Sequence, residues 1–346
     1  MAATAIHGSL RIDFHDSGKT PDPPTLQDFF SDLASAIHNA VVLPLLYHFG
    51  LMAWEDIGYG WVLFALYGVA QVLLMLSICW PIEKFWPLET WSRKTGPRKS
   101  TVGVDIFYTL LARIGIMPLF TFVLFYEAQI WLSASLANDG MITPTLESLA
   151  PWLMGKPVIT FMIYLLILDL FDYWRHRLSH RFHWWYALHS VHHAQRQMTF
   201  WTDDRNHLLD DIIAFVWFMA IGLAIGVPPL QFPLLILLLR LLESMSHANA
   251  RVSFGWLGER LLISPRFHRA HHGVDAFAEK SCNYGAIFPF WDMLFGTANF
   301  SAAYVRTGDP SAEERLASGN WWQQQVGGIA RMLGRAKTIT VVSEPS

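Results

Sequence analysis

The chain has 346 residues, 53% of them hydrophobic and 15% charged, with a formal net charge of −3. Ordinary soluble domains carry about 25% charged residues, so the polar surface here is too small for a soluble globule. The slightly acidic balance argues against a nucleic-acid partner held mainly through phosphates, and none is expected. Sixteen Trp and 24 Phe fit interfacial belts and lipid-facing surfaces. Two cysteines, Cys79 and Cys282, supply neither a disulfide framework nor a CxxC zinc site.

Residues 1–28 are mixed polar, with Pro21, Pro23 and Pro24, and read as a flexible leader without a signal-peptide core. Phe29 to Trp54 reads as an amphipathic helix lying in or dipping into the membrane interface, with a full span as the alternative. Trp61 to Trp80 holds no charge and is long enough to cross about 30 Å of hydrocarbon. The next loop, 81–103, carries Lys84, Arg93, Lys94, Arg98 and Lys99, which assigns it to the cytoplasmic side. A second span is expected over Ile106–Leu132, with Arg113 and Glu127 snorkelling near its ends. A third covers Val158–Tyr173. Two short apolar runs, Ile212–Val227 and Leu230–Leu242, separated by prolines, suit a tight helical hairpin that enters and returns. The last thirty or so residues read as a weakly ordered tail.

The chemistry concentrates beyond the third span. Six histidines fall in 18 residues (His176, His180, His183, His189, His192 and His193), and His268, His271 and His272 form a second dense group, with His207 and His247 between. His176 and His180 are spaced i, i+4, and each later triple i, i+3, i+4, so on helices each set projects from one face. One such pair is weak evidence, but three sets in order after a membrane span point to a multinuclear metal site. Eight to ten neutral imidazoles are too many for one structural zinc, which takes four ligands. Imidazole alone suits zinc, copper, iron or nickel, so the residues by themselves leave the metal open. His183 shares a face with His176 and His180 but reads as a cap or surface histidine. Asp172, one turn before His176, is the expected carboxylate partner of a ligand histidine, with Glu243 and Asp211 as weaker candidates. For Glu243 and Asp211, pairing with Arg175, Arg205 or Arg240 is the competing reading.

The segments DYWRHRLSH, WWYALHSVHH, RNH (205–207), SHANAR (246–251), SPRFHRAHHG (264–273) and NYGAIFPFWDMLFGT (283–297) resemble the fatty acid hydroxylase/sterol desaturase superfamily of integral membrane di-iron enzymes, with a lean to its bacterial-type sterol desaturase branch. The resemblance covers residues 165–298. It implies an all-α integral membrane protein with about four transmembrane or re-entrant helices and a cytoplasmic helical cap holding a dimetal site. It divides the chain into a leader and interfacial helix (1–57), a membrane-embedded catalytic domain (58–298) and a C-terminal tail (299–346). It further implies two iron ions and O2-dependent hydroxylation or desaturation at a C–H bond of a lipid or sterol. The implied metal ligands are His176, His180, His189, His192, His193, His268, His271 and His272. His247 matches the histidine preceding the last group. His207 matches an isolated central histidine and takes the tenth position, although Leu208 stands where the family usually has proline.

No nucleotide, haem or iron–sulfur motif is present, so electrons are expected from a separate reductase, ferredoxin or cytochrome. The expected location is a bilayer, with the histidines on the cytoplasmic face of a bacterial inner membrane or the endoplasmic reticulum. A membrane zinc hydrolase is the first alternative, but Arg177 stands where an HExxH glutamate would be. A metal transporter or sensor is the second, and its histidines would be expected among the spans.

Overall fold

The computed structural model describes residues 25–90, 99–138, 144–226, 232–274, 281–300 and 305–335. The chain divides into two units, Met1–Leu63 and Phe64–Ser346. Every regular element among the described residues is helical. Among the described residues, pairing of extended backbone is confined to isolated bridges, Pro87 with Ala250 and Gly273 with Thr307.

The first unit begins at α1 (Leu26–Ile37), where Thr25 and Asp28 form a reciprocal capping box. A π-turn (His38–Val42) leads into α2 (Leu43–His48). Together Leu26–His48 make a 23-residue helix of mean hydropathy 1.4, long and apolar enough to cross a bilayer. That is the length the spanning alternative requires. α3 (Glu55–Phe85) starts here and continues into the second unit.

In the second unit, α4 (Lys99–Arg113) and α5 (Ile116–Asn138) replace the expected straight span over Ile106–Leu132. They meet at 46°, with Gly115 in the break at φ +86°. Arg113 does not snorkel. It is buried, donating to Asp204 at 2.7 Å and to Asp203 and Ser244 at 2.8 and 2.7 Å. Two carboxylates offset the cost of burying this guanidinium, although its Nη1 has no partner.

A short α6 (Leu146–Leu149) precedes α7 (Pro157–Arg181), which opens on a proline at its first turn. α7 meets the length and hydropathy of a span and runs on past Tyr173, so the span and the HxxxH pair are one helix. Phe182 takes an extended conformation and turns the chain into α8 (His183–His193). α9 (Leu208–Ile225) is an 18-residue candidate span, and α10 (Phe232–His247) follows. The expected prolines at 228 and 229 lie outside the described residues. Tyr164, Leu165 and Leu168 of α7 pack with Ile221 of α9, Leu238, Leu239 and Leu242 of α10, and Ile287.

The remaining helices are short: α11 (Gly255–Leu261), α12 (Pro265–His271), α13 (Phe290–Leu294), α14 (Glu314–Ser318) and α15 (Trp321–Met332). The expectation of a weakly ordered tail fails for residues 305–335. Asn320 and Gln323 form a capping box for α15, and α15 packs along α8. Leu316 and Ala317 bury against Val191, Ala194 and Tyr108.

Candidate metal centre

Four elements deliver histidines to one place. α7 brings His176 and His180 a turn apart on one face, and the last turn and a half of α8 brings His189, His192 and His193. α10 ends on His247. α12 is started by Ser264, whose hydroxyl accepts from Phe267 N at 3.1 Å, with Pro265 in the first turn, and it presents His268, His271 and the capping His272. Nine histidines result, in two adjacent groups. The first is His176, His180, His189, His193 and His271; the second is His192, His247, His268 and His272, and within each group the ligand atoms lie within 4.8 Å of one another. The neighbouring pairs 192/193 and 271/272 are split between the groups, and the rings of His193 and His272 stack at 4.3 Å.

The outer nitrogens of four rings are tied down. Nδ1–H of His176 donates to the Tyr284 carbonyl at 2.8 Å and that of His271 to the Cys282 carbonyl at 2.7 Å. His189 donates to Asp210 Oδ2 at 2.9 Å and His247 to the Glu243 carbonyl at 2.7 Å. These assignments follow from the partners, because a carbonyl or carboxylate can only accept. They leave Nε2 unprotonated and aimed inward. Buried Nε2 atoms of His176, His180 and His189 have no hydrogen-bond partner. Between rings, Nε2 atoms approach at 3.0 Å (His247–His268), 3.1 Å (His192–His247 and His193–His271) and 3.2 Å (His268–His272). With Nδ1 carrying the proton in each ring, lone pairs at this spacing repel unless a cation lies among them. Nitrogen ligands at about 2.1 Å from an ion, set at right angles, are about 3 Å apart. The donor set therefore fits two metal ions.

Burial favours the neutral form in most of these rings. It pushes His192, His193, His268 and His272 well below the usual 6.5, helped by the neighbouring histidines, and His271 down to about 3. His247 is lowered too, although Asp203, 3.6 Å from its Nδ1, opposes the shift. A neutral imidazole is the metal-binding form.

The carbonyls that orient His176 and His271 belong to a braced loop. Asp292 accepts from Tyr284 N and Gly285 N, both at 2.8 Å, and Asp169 accepts from Ile287 N, Phe288 N and the Trp291 indole. Asn283 sits at φ +59° and ties the loop to Phe267 O on α12. At Gly285 a Cβ would lie 2.9 Å from Ile263 and from the Phe288 carbonyl, so the turn has no room for a side chain.

Four residues are not placed as expected. His207 is in neither group: its Nε2 donates to Gln325 O at 2.8 Å and its Nδ1 accepts from Leu209 N at 3.0 Å, so both ring nitrogens are spent capping α9 and binding α15. Asp172 pairs with Arg175 at 2.7 Å, not with a histidine. Glu243 serves through its backbone carbonyl while its carboxylate faces Arg240 at 3.5 Å, and Asp211 contributes no hydrogen bond to a ligand histidine among the described residues. His183 is exposed at the start of α8, as expected of a cap residue. Sequence reasoning passed over Asp210 in favour of Asp211 and gave no role to Asp169, although a carboxylate inside an apolar span is itself a functional signal.

Residues 161–297, which contain all nine histidines, match the fatty acid hydroxylase family. That match and the curated relatives support the fatty acid hydroxylase superfamily. Alkylglycerol monooxygenase of Danio rerio is 30% identical over 138 residues, 40% of this chain and 30% of that protein. Ornithine lipid hydroxylase OlsE of Rhizobium tropici is 25% identical over 218 residues, 62% of each chain. A very-long-chain aldehyde decarbonylase of Oryza sativa subsp. japonica is 24% identical over 195 residues, 52% of this chain and 30% of that protein. The chain thus spans less than two thirds of each of these relatives. No solved structure matches it. The α14–α15 segment lies beyond the fatty acid hydroxylase match.

Proposed function

We propose that this protein is a membrane-embedded di-iron oxygenase that inserts oxygen at, or desaturates, a C–H bond of a long-chain lipid. The observation that carries the reading is the pair of adjacent five- and four-histidine groups at the end of an apolar helix of spanning length. The relatives' names support the lipid class: an alkylglycerol, an ornithine lipid and a very-long-chain aldehyde all offer a long apolar chain. They favour this class over a sterol as the first substrate to test, and hydroxylation over desaturation as the first reaction.

Nine histidines would hold two irons, with His176, His180, His189, His193 and His271 around one and His192, His247, His268 and His272 around the other. Bound iron would supply O2 activation against an unactivated C–H bond. The protein's own residues do the rest. Burial keeps the imidazoles neutral with their lone pairs inward, and the Nδ1 partners fix ring orientation before anything binds. The rings of Tyr186 and Tyr284 flank His180 at 5.3 and 5.4 Å and help keep bulk water from the groups. A lipid chain would reach the site laterally from the bilayer. Positive charge over residues 81–103 supports a cytoplasmic site, and a reductase, ferredoxin or cytochrome would supply the electrons.

The deciding experiment is lipid mass spectrometry of aerobic, iron-replete cells with the wild-type chain, with His192→Ala, and without the chain. A lipid gaining one oxygen in the wild-type cells alone identifies a hydroxylase, and one losing two hydrogens a desaturase. Identical lipid profiles in all three, or one zinc per chain in place of about two irons, would refute the reading.

A further inference from the structure

The RNH motif lies between the histidine groups yet supplies no ligand. Arg205 is fully buried, and its guanidinium reaches three parts of the chain. Nε donates to Val191 O at 3.0 Å, Nη1 to Asp105 Oδ1 at 2.6 Å, and Nη2 to the carbonyls of Leu316 and Ala317. Val191 lies in the last turn of α8, immediately before His192 and His193. Two residues on, His207 donates to Gln325 O, and the Gln325 side chain accepts from Leu208 N at 2.8 Å while donating to the Tyr108 hydroxyl at 3.0 Å. α15 comes this close because it carries Gly327 and Gly328. A Cβ on Gly328 would sit 2.5 Å from the His207 ring, and one on Gly327 2.7 Å from Leu316. Glycine inside a helix costs about 0.5–1 kcal/mol relative to alanine, so close approach is what these positions obtain in return.

We infer that Arg205 and His207 are positioning residues that clasp the C-terminal segment onto the last turn of α8, so that residues beyond the fatty acid hydroxylase match are part of the metal site's scaffold. A buried guanidinium cannot leave its donors unpaired without a cost. If residues 314–328 lift away, Arg205 loses two acceptors, and the Val191 carbonyl beside His192 and His193 loses the donor fixed by them. Those two histidines belong to different groups, so a shift of this turn disturbs both. By linkage, metal held by the histidines should in turn hold the C-terminal segment down.

This inference rests on the two-metal reading, and its test separates the two. Full-length chain in detergent is titrated with Co2+ and, in parallel, subjected to limited proteolysis with mass mapping of cuts in 305–335. Gly328→Ala touches no histidine ligand; it should weaken Co2+ binding about tenfold, the scale of loss for outer partners of metal ligands, and expose 305–335 to cleavage. Arg205→Lys, which keeps the charge for Asp105 but loses the fork to the carbonyls, should do the same. Trp322→Ala, on the exposed side of α15, should change neither. Co2+ should slow cleavage of 305–335 in the wild type and less so in Gly328→Ala. Unchanged affinity and cleavage in Gly328→Ala and Arg205→Lys, with helical content intact, would overturn the clasp. So would loss of one whole Co2+ equivalent in His207→Ala with Gly328→Ala silent, since His207 would then be a ligand. If the wild type takes up no Co2+, the two-metal reading falls, and cleavage of the variants against wild type decides the clasp alone.

Discussion

Asp210 faces two donors at once: the Trp185 indole on Oδ1 at 2.7 Å and His189 Nδ1 on Oδ2 at 2.9 Å. A carboxylate satisfies both, whereas an asparagine offers one oxygen and presents an NH2 to the other donor. Asp210→Asn should therefore leave the helices intact yet lower metal affinity about 10–100-fold, the range seen when partners of metal-bound histidines are removed. Metal retention after gel filtration against a graded chelator reads this directly, and wild-type retention would exclude the role. Asp169 has a parallel task at longer range. It accepts three N–H groups of the loop that carries Tyr284. Asp169→Asn turns one acceptor oxygen into a donor and leaves a buried N–H unpaired, which costs about 1–3 kcal/mol. A fall in melting temperature together with weakened metal retention is expected; a fall in stability alone would mean that the loop does not orient the histidines.

At the level of helices, what could be read in advance was what is local. Spacings of three and four residues fix which histidines share a helix face, so eight of the nine grouped histidines followed from period alone, and His247 from its place in the order of segments. What escaped depends on partners far along the chain. The carboxylate serving His189 is 21 residues away, and the carbonyl serving His176 is 108 away. Asp172, picked because it lies one turn before His176, finds a nearer arginine. The tail was misjudged because its order comes from Arg205 and His207 in the middle of the chain. Arg113 was read as a snorkelling end residue because nothing in its own run announces Asp203 and Asp204. The same break that buries Arg113 also brings its backbone against α3: a Cβ on Gly68 would sit 1.6 Å from the Arg113 carbonyl oxygen. Neither backbone can give way as a flexible side chain would. Gly68→Ala should force α3 and α4 apart, at the 1–3 kcal/mol typical of overpacking or more. A melting temperature equal to wild type would refute that close approach.

Across the whole molecule, the metal centre sets a balance between site and stability. Eight buried imidazoles and a half-buried ninth, with Nε2 atoms only 3.0–3.2 Å apart, gain strong ligand bonds when cations enter, so metal binding should stabilise the fold. A free metal at a hundred times its dissociation constant adds about 2.7 kcal/mol for one site. Without metal, the pH dependence has a definite sign. His192, His193, His268, His271 and His272 are held below their ordinary 6.5, His271 near 3, so below 6.5 the unfolded chain binds more protons than the folded one. Their contribution is complete above about 6.5 and is lost as pH falls toward the folded-state values. Metal-free chain should accordingly melt at lower temperature at pH 5 than at pH 7.5. Metal-loaded chain should melt higher than metal-free at pH 7.5 and converge on it as protons displace the ions. Replacing His268 and His272 together by glutamine removes two of the depressed groups, so it should flatten the acid limb of the metal-free curve and also shrink the metal-induced shift. A steep acid limb that survives this double substitution unchanged would place the titrating groups outside the histidine body.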